Sequence, residues 1–289
     1  MCTRVHARLM RLANVTLLLF VICGLGRDKA QGRAENPFFV IRVVDRQTQR
    51  GVPLVELCTV NNIRYVTDSQ GVVAFAEPGL MNQEVFFSVE SHGYTFSKDG
   101  FGMQGRRLMT RPGHTEVLEV DRLNLAERLY RVTGQGIYRD SILAGLSAPV
   151  KHPLLNGQVM GQDSVFTCLY QGRLFWFWGD TNRPSYPLGN FAMSGAVSVL
   201  PECGGLDPEM GVDLSYFVDE KGFSRAMAPM KERGLIWLDG VMTVPDQNAG
   251  ARMVARFARL KRLDEVLERG FMVFNDRTQR FEAILRSCL

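Results

Sequence analysis

The sequence predicts a mainly β protein, a small β-sandwich followed by about two four-stranded blades of an incomplete β-propeller. Three observations carry this reading. Short runs of alternating apolar and polar residues, rich in Val, Ile, Phe and Tyr, recur with Gly, Asn, Asp and Pro turns between them. After residue 157 the runs group into two sets of four, each set roughly 45–60 residues long, which is blade-like spacing. Helical periodicity is confined to two short stretches, 123–129 and 260–269. The 289 residues are enough for two ordinary domains. An apolar fraction of 46% and a charged fraction of 22% describe a globular chain and exclude a disordered one.

The first 34 residues read as a secretory signal peptide, with Arg4, Arg8 and Arg11 ahead of an apolar run at 15–25 and small residues at Gly32 and Ala34. That run is too short for a stable membrane span, which needs ~20 apolar residues. Its removal takes six of the 34 basic residues and one of the 30 acidic ones, leaving a nearly neutral mature chain with nothing to attract nucleic acid. The expected location is therefore secreted, periplasmic or at the cell surface. Cys58, Cys168, Cys203 and Cys288 remain after cleavage, without C-x-x-C spacing, so no metal site and no cofactor are expected.

Strands are expected at 38–44, 52–60, 63–67, 72–75 and 85–90, with turns at 45–51, 61–62, 68–71 and 77–79. The segments VVDRQTQRGVPLVEL, YVTDSQGVVAF and SVESHGYTF carry a D-x-x-T-x-x-G-V-P-x-V opening, a T-D-x-x-G turn and a closing G-Y. On these residues the stretch 38–122 resembles the carboxypeptidase regulatory-like module, a transthyretin-type sandwich. The resemblance implies an accessory or binding module at 35–125. His92 then reads as a turn residue, and KDGFGMQG at 98–105 lacks the following helix that a phosphate loop requires. LNLAERL at 123–129 has the pattern of a helical turn, with Asn124 capping toward Glu127. The Gly-, Pro- and Ser-rich residues 126–156 read as the linker to a second domain at 157–289.

The second domain opens on GQDSVFTCLYQGRLFWFWGDTNRPSYP, the most informative stretch of the chain. Residues 165–170 and 173–178 alternate around a tight Gln171-Gly172 turn. Leu174, Trp176 and Trp178 lie on one face of the second strand, and Phe175 and Phe177 on the other. The strand ends in a polar loop, 179–184. Antiparallel pairing brings Asp163 and Asp180 to one end of this hairpin, with Asn182, Arg183 and Tyr186 following. Further strands are expected at 192–200 and 214–218, then at 235–244, 252–259, 271–274 and 281–285. LKRLDEVLER at 260–269 has a leucine stripe and a charged face, a helical pattern.

FWFWGDTNRP, as a G-D-T turn after an aromatic hairpin, resembles the first blade of the five-bladed propellers of secreted glycoside hydrolases, the arabinanase, β-xylosidase and levansucrase-like clans. In those families an Asp on the innermost strand of the first blade is base or nucleophile. The resemblance implies Asp163 in that role, Asp180 or Asp239 as the second carboxylate, and Asn182, Arg183 and Tyr186 as substrate contacts. Glycoside hydrolysis needs one protonated and one ionised carboxyl within roughly 5–10 Å. Two blades are fewer than the ~4 with which propellers close, so the chain reads as truncated relative to such enzymes. Two functions stay open: an exported glycoside hydrolase-like protein acting on a polysaccharide or surface glycan, and a non-catalytic carbohydrate-binding protein.

Overall fold

A computed structural model describes residues 36–190, 193–247 and 250–288. The signal segment lies outside the described residues. Among the described residues the protein is mainly β, with several small sheets and no closed barrel. Eight strands build the first part: β1 (Phe39–Asp45), β2 (Glu56–Thr59), β3 (Arg64–Val66), β4 (Val72–Phe75), β5 (Glu84–Glu90), β6 (Tyr94–Thr95), β7 (Gly105–Met109) and β8 (Thr115–Arg122). They form two four-stranded sheets, ordered β4-β1-β8-β6 and β3-β2-β5-β7. Pairing is antiparallel except between β1 and β8.

The alternation that predicted the strands is what fills the sandwich. Phe39, Ile41, Val43, Leu57, Val73, Phe75, Phe87, Leu118 and Val120 meet in one buried cluster. The G-V-P and T-D-x-x-G segments lie against each other. Gly71 has φ +74°, and a Cβ there would sit 2.4 Å from the Val43 carbonyl oxygen and 2.7 Å from the Gly51 Cα. Only glycine fits so close an approach at that backbone angle. The Thr67 hydroxyl donates to the Val52 carbonyl at 2.7 Å and accepts the Val55 N–H at 2.9 Å.

Part of the segment 126–156 packs on this sandwich, while Tyr130, Lys151 and Asn156 bond residues of the second part. Helix α1 (Arg139–Leu143) lies beside β4, and Ala144 covers Val40, Val72 and Ala74 on the outer face of the first sheet. Asp68 holds it in place by accepting the Ser141 N–H at 2.7 Å, while the Ser69 N–H donates to the Ile137 carbonyl at 2.8 Å. Burial raises the Asp140 carboxyl pKa, against the pull of Arg139. The expected helical turn at 123–129 is absent. Asn124 Oδ1 takes the Ala126 N–H at 3.0 Å, a local turn, and Glu127 is committed to Arg50 at 3.1 Å, which leaves no capping pair.

The remaining strands are β9 (Gly161–Gln162), β10 (Phe166–Tyr170), β11 (Arg173–Trp178), β12 (Thr181–Arg183), β13 (Tyr186–Asn190), β14 (Ser194–Val199), β15 (Ser215–Tyr216), β16 (Leu235–Pro245), β17 (Ala251–Arg262), β18 (Glu265–Asn275) and β19 (Arg280–Cys288). Sheets β10-β11-β14-β15 and β16-β17-β18-β19 are the two four-stranded units. Phe175 and Phe177 of the first pack into the same cluster as Ile236, Leu238, Phe257, Met272, Phe274 and Phe281 of the second. Ring pairs join them, Phe175–Phe274 at 5.5 Å and Phe177–Phe281 at 5.1 Å. The Gln171-Gly172 turn has φ +48° and +71°, which suits a two-residue hairpin.

Two further local expectations fail. Residues 260–269 form the β17–β18 hairpin, turning at Leu263-Asp264, and contain no helix. Leu260 is buried while Leu263 is 71% exposed, so the leucine stripe never forms one face. The charges pair across the hairpin, Lys261 with Glu265 at 3.0 Å and Arg259 with Glu268 at 2.8 Å. The expected polar loop 179–184 becomes the start of the β12–β13 hairpin, in a three-stranded sheet with β9.

Candidate functional site

Asp163 and Asp180 meet at one end of the β10–β11 hairpin. The Asp163 N–H donates to the Asp180 carbonyl at 3.2 Å, and the Gly179 N–H to the Asp163 carbonyl at 3.0 Å. Asp163 Oδ1 also accepts the Asp180 N–H at 3.2 Å, so this exposed carboxylate caps the neighbouring backbone. Asp180 is half-buried, and its Oδ1 is buried without a hydrogen-bond partner among the described residues. Burial, and then the Asp163 charge, push its carboxyl pKa up. The pair thus holds one exposed carboxylate beside one that accepts a proton more readily than usual.

Behind this pair lies a buried polar network. Gln162 Nε2 donates to Thr181 Oγ1 at 3.1 Å and to Ser194 Oγ at 2.5 Å, the two hydroxyls are 2.7 Å apart, and the Tyr216 hydroxyl donates to Gln162 Oε1 at 2.7 Å. Thr181 and Ser194 are fully buried, and burial raises the Tyr216 phenol pKa. The network rivets β9, β12, β14 and β15 together beneath Asp180. No local sequence pattern marks these residues, because their convergence depends on pairing between distant segments.

The other expected site residues divide. Asn182 pairs with Gly161 in the strand register, and its carbonyl accepts the Met160 N–H at 2.9 Å. Arg183 lays its guanidinium over the Phe223 ring at 4.3 Å. Tyr186, opposite Arg183 on the hairpin, is 66% exposed. Asp239 is engaged elsewhere: it bonds Arg256 of β17 at 2.9 Å and sits 3.8 Å from Arg269 of β18, both in its own sheet. It follows buried Leu238, so strand alternation turns it to the face away from the shared core. Asp163, and not Asp239, is the charge acting on Asp180.

A second feature was not foreseen. A groove of about 560 Å³ runs beside β11 and β14. Leu174, Trp176, Leu200, Leu206 and Val212 line it, with Tyr130 as one wall. Trp176 stacks on buried Trp178 with ring centres 6.1 Å apart and planes 9° apart, and its Nε1–H donates to Ser198 Oγ at 2.9 Å. The indole is thereby fixed, with part of its surface left open. An ion pair at the rim, Lys151 with Asp213 at 3.1 Å, adds polar groups. Trp176 was visible in the sequence, whereas the loop that builds the facing wall carries no motif.

Among the described residues, no group of three or more His, Cys, Asp or Glu side chains is placed to hold a metal, and no helix is long and apolar enough to cross a membrane. Cys58, Cys168 and Cys203 are free thiols. Cys168 is buried, its Sγ 3.0 Å from Thr243 Oγ1, as a small core residue would be. No protein-family model matches this chain, and no curated protein matches it.

Proposed function

We propose that this is an exported, non-catalytic carbohydrate-binding protein that takes a glycan chain in the Trp176 groove. One observation carries the reading: an indole locked by Ser198 and Trp178 forms the floor of an open groove with a charged rim. A fixed aromatic face suits the C–H face of a sugar ring, and the Lys151–Asp213 pair and the Tyr130 edge suit its hydroxyls. The groove is pre-ordered, so little side-chain entropy is lost when a ligand stacks. Export follows from the N-terminal sequence, and the sandwich would serve as an accessory module. Calorimetric titration with linear xylo-, arabino-, cello- and manno-oligosaccharides tests it. At least one series should bind, and Trp176→Ala should weaken that binding about tenfold or more without changing the melting temperature by more than a degree or two. Absence of binding across the panel, or equal binding by the variant, refutes it.

The Asp163–Asp180 pair favours a second reading, a glycoside hydrolase-like site with Asp180 as the protonated partner and Arg183, Tyr186 and Asn182 as substrate contacts. Its support is the raised Asp180 carboxyl beside a second carboxylate. Asp239 lies with Arg256 and Arg269 and contributes no carboxylate to this pair. Under this reading Asp163→Asn abolishes release of reducing ends, and under the binding reading neither protein releases any.

A further inference from the structure

Two arginines meet beside the β18–β19 turn without an acidic partner. Arg225 lies in the loop after β15, where its N–H donates to the Phe217 carbonyl at 2.8 Å and its guanidinium sits over the Phe217 ring at 5.6 Å. Its Nη2 reaches the carbonyls of Thr278 at 3.4 Å and Gln279 at 3.2 Å. Arg280 is the next residue, the first of β19, and its charge acts on Arg225. Both side chains are half-buried, and the Nε–H of each is buried with no hydrogen-bond partner.

The surrounding groups leave the charge uncompensated. Among the described residues, the Arg280 side chain makes no hydrogen bond and no ion pair, and the Arg225 side chain bonds only neutral carbonyls. The nearest acids in sequence are committed elsewhere. Asp276 accepts from the Tyr170 hydroxyl at 3.0 Å and Gln171 at 3.1 Å. Glu282 accepts from Asn275 at 2.8 Å and Thr278 at 3.3 Å. Burial, and then the charge of Arg280, lower the Arg225 pKa. Buried donors on a charged group nearly always have a partner, and an unpaired charge withdrawn from water is costly. Guanidinium groups match the geometry of an oxyanion, which would offset both charges.

We propose that Arg225 and Arg280 together form a binding site for an oxyanion, the chemistry shared by carboxylate, sulfate and phosphate groups. The site rests on observations separate from the Trp176 groove and stands whether or not that groove takes a glycan.

Titration of the whole protein with sodium sulfate, phosphate and acetate, against sodium chloride at matched ionic strength, tests it. At least one of the three should bind saturably and raise the melting temperature as occupancy rises. Preference for acetate identifies a carboxylate ligand, and preference for sulfate or phosphate a tetrahedral one. Arg280→Gln should weaken that binding about tenfold or more while leaving the far-ultraviolet spectrum in place and the anion-free melting temperature no lower than before. Arg225→Gln also removes the two carbonyl bonds, so Arg280→Gln, which breaks none, carries the test. Lack of saturable binding by all three anions up to about 50 mM, or undiminished affinity in Arg280→Gln, overturns the proposal.

Discussion

Replacing Glu268 with Gln should destabilise this protein by about 3 kcal/mol at pH 7. Glu268 is 1% exposed on β18, in the sheet β16-β17-β18-β19. Arg259 Nε donates to it at 2.8 Å, and Arg286 donates through both Nε and Nη2, the latter at 2.9 Å. Arg286 also holds Glu232 at 2.8 Å. Hydrogen bonding to Arg286 above all, against the opposing effect of burial and with help from Arg259, holds the Glu268 carboxyl down from 4.5 to about 2. Removing one partner of a buried ion pair costs about 3–5 kcal/mol, because the other charge is left uncompensated. Arg286 is 42% exposed and can turn toward water, which favours the low end of that range. The folded pKa lies below the unfolded one, so the contribution is complete above the unfolded value and disappears as pH falls toward about 2. Urea denaturation of both proteins at pH 7, 5 and 3 is the assay. The gap should be equal at pH 7 and 5 and clearly smaller at pH 3. A gap below about 1 kcal/mol at pH 7, or one that widens on acidification, refutes the reasoning.

Gly71→Ala should cost well over 1 kcal/mol, since the new methyl meets the Val43 carbonyl at a positive φ; a melting temperature unchanged by the substitution contradicts the packing described. Asp180→Asn should raise stability at neutral pH and lose that advantage below about pH 4, because a carboxyl whose folded pKa is raised contributes stability only at low pH and loses it as pH rises; a pH-independent difference speaks against it. A fragment of residues 36–147 should unfold cooperatively and at higher temperature than one of 36–125, which loses α1 and the cover over Val40, Val72 and Ala74; equal melting temperatures contradict this. Exported protein should begin close to Glu35 by N-terminal sequencing, and intact Met1 in a soluble cytosolic fraction argues against a signal peptide.

Short apolar runs closed off by clear turns were legible in the sequence: 72–75 matches β4, and 173–178 matches β11. The Gln171-Gly172 turn was legible because two residues alone had to reverse the chain. The 260–269 hairpin was misread because its leucines and alternating charges satisfy helical spacing equally well, and cross-strand pairing decided the outcome. β7 and β8 went unnoticed because GRRLM and TEVLEVDR expose much of their length to solvent and offer only partial alternation. Of the site, the meeting of Asp163 and Asp180 followed from hairpin register. The placement of Asp239 was not readable, since Leu238 takes the core side and the register shifts by a bulge just after it. The groove wall and the arginine pair depend on loops returning from afar, which no local pattern encodes.

Tyr130 gives the groove a dependence that its lining alone does not reveal. Its hydroxyl donates to the Pro208 carbonyl at 2.6 Å, and Arg50 of the sandwich ties Glu127 and Glu209 on either side at 3.1 and 2.8 Å. One wall of the groove is therefore moored to the sandwich through a clasp of one tyrosine and one arginine. A ligand resting on Trp176 would share in the folding of a region it never touches. Occupancy and sandwich unfolding become two readouts of one equilibrium, and damage to the clasp should surface first as faster ligand escape.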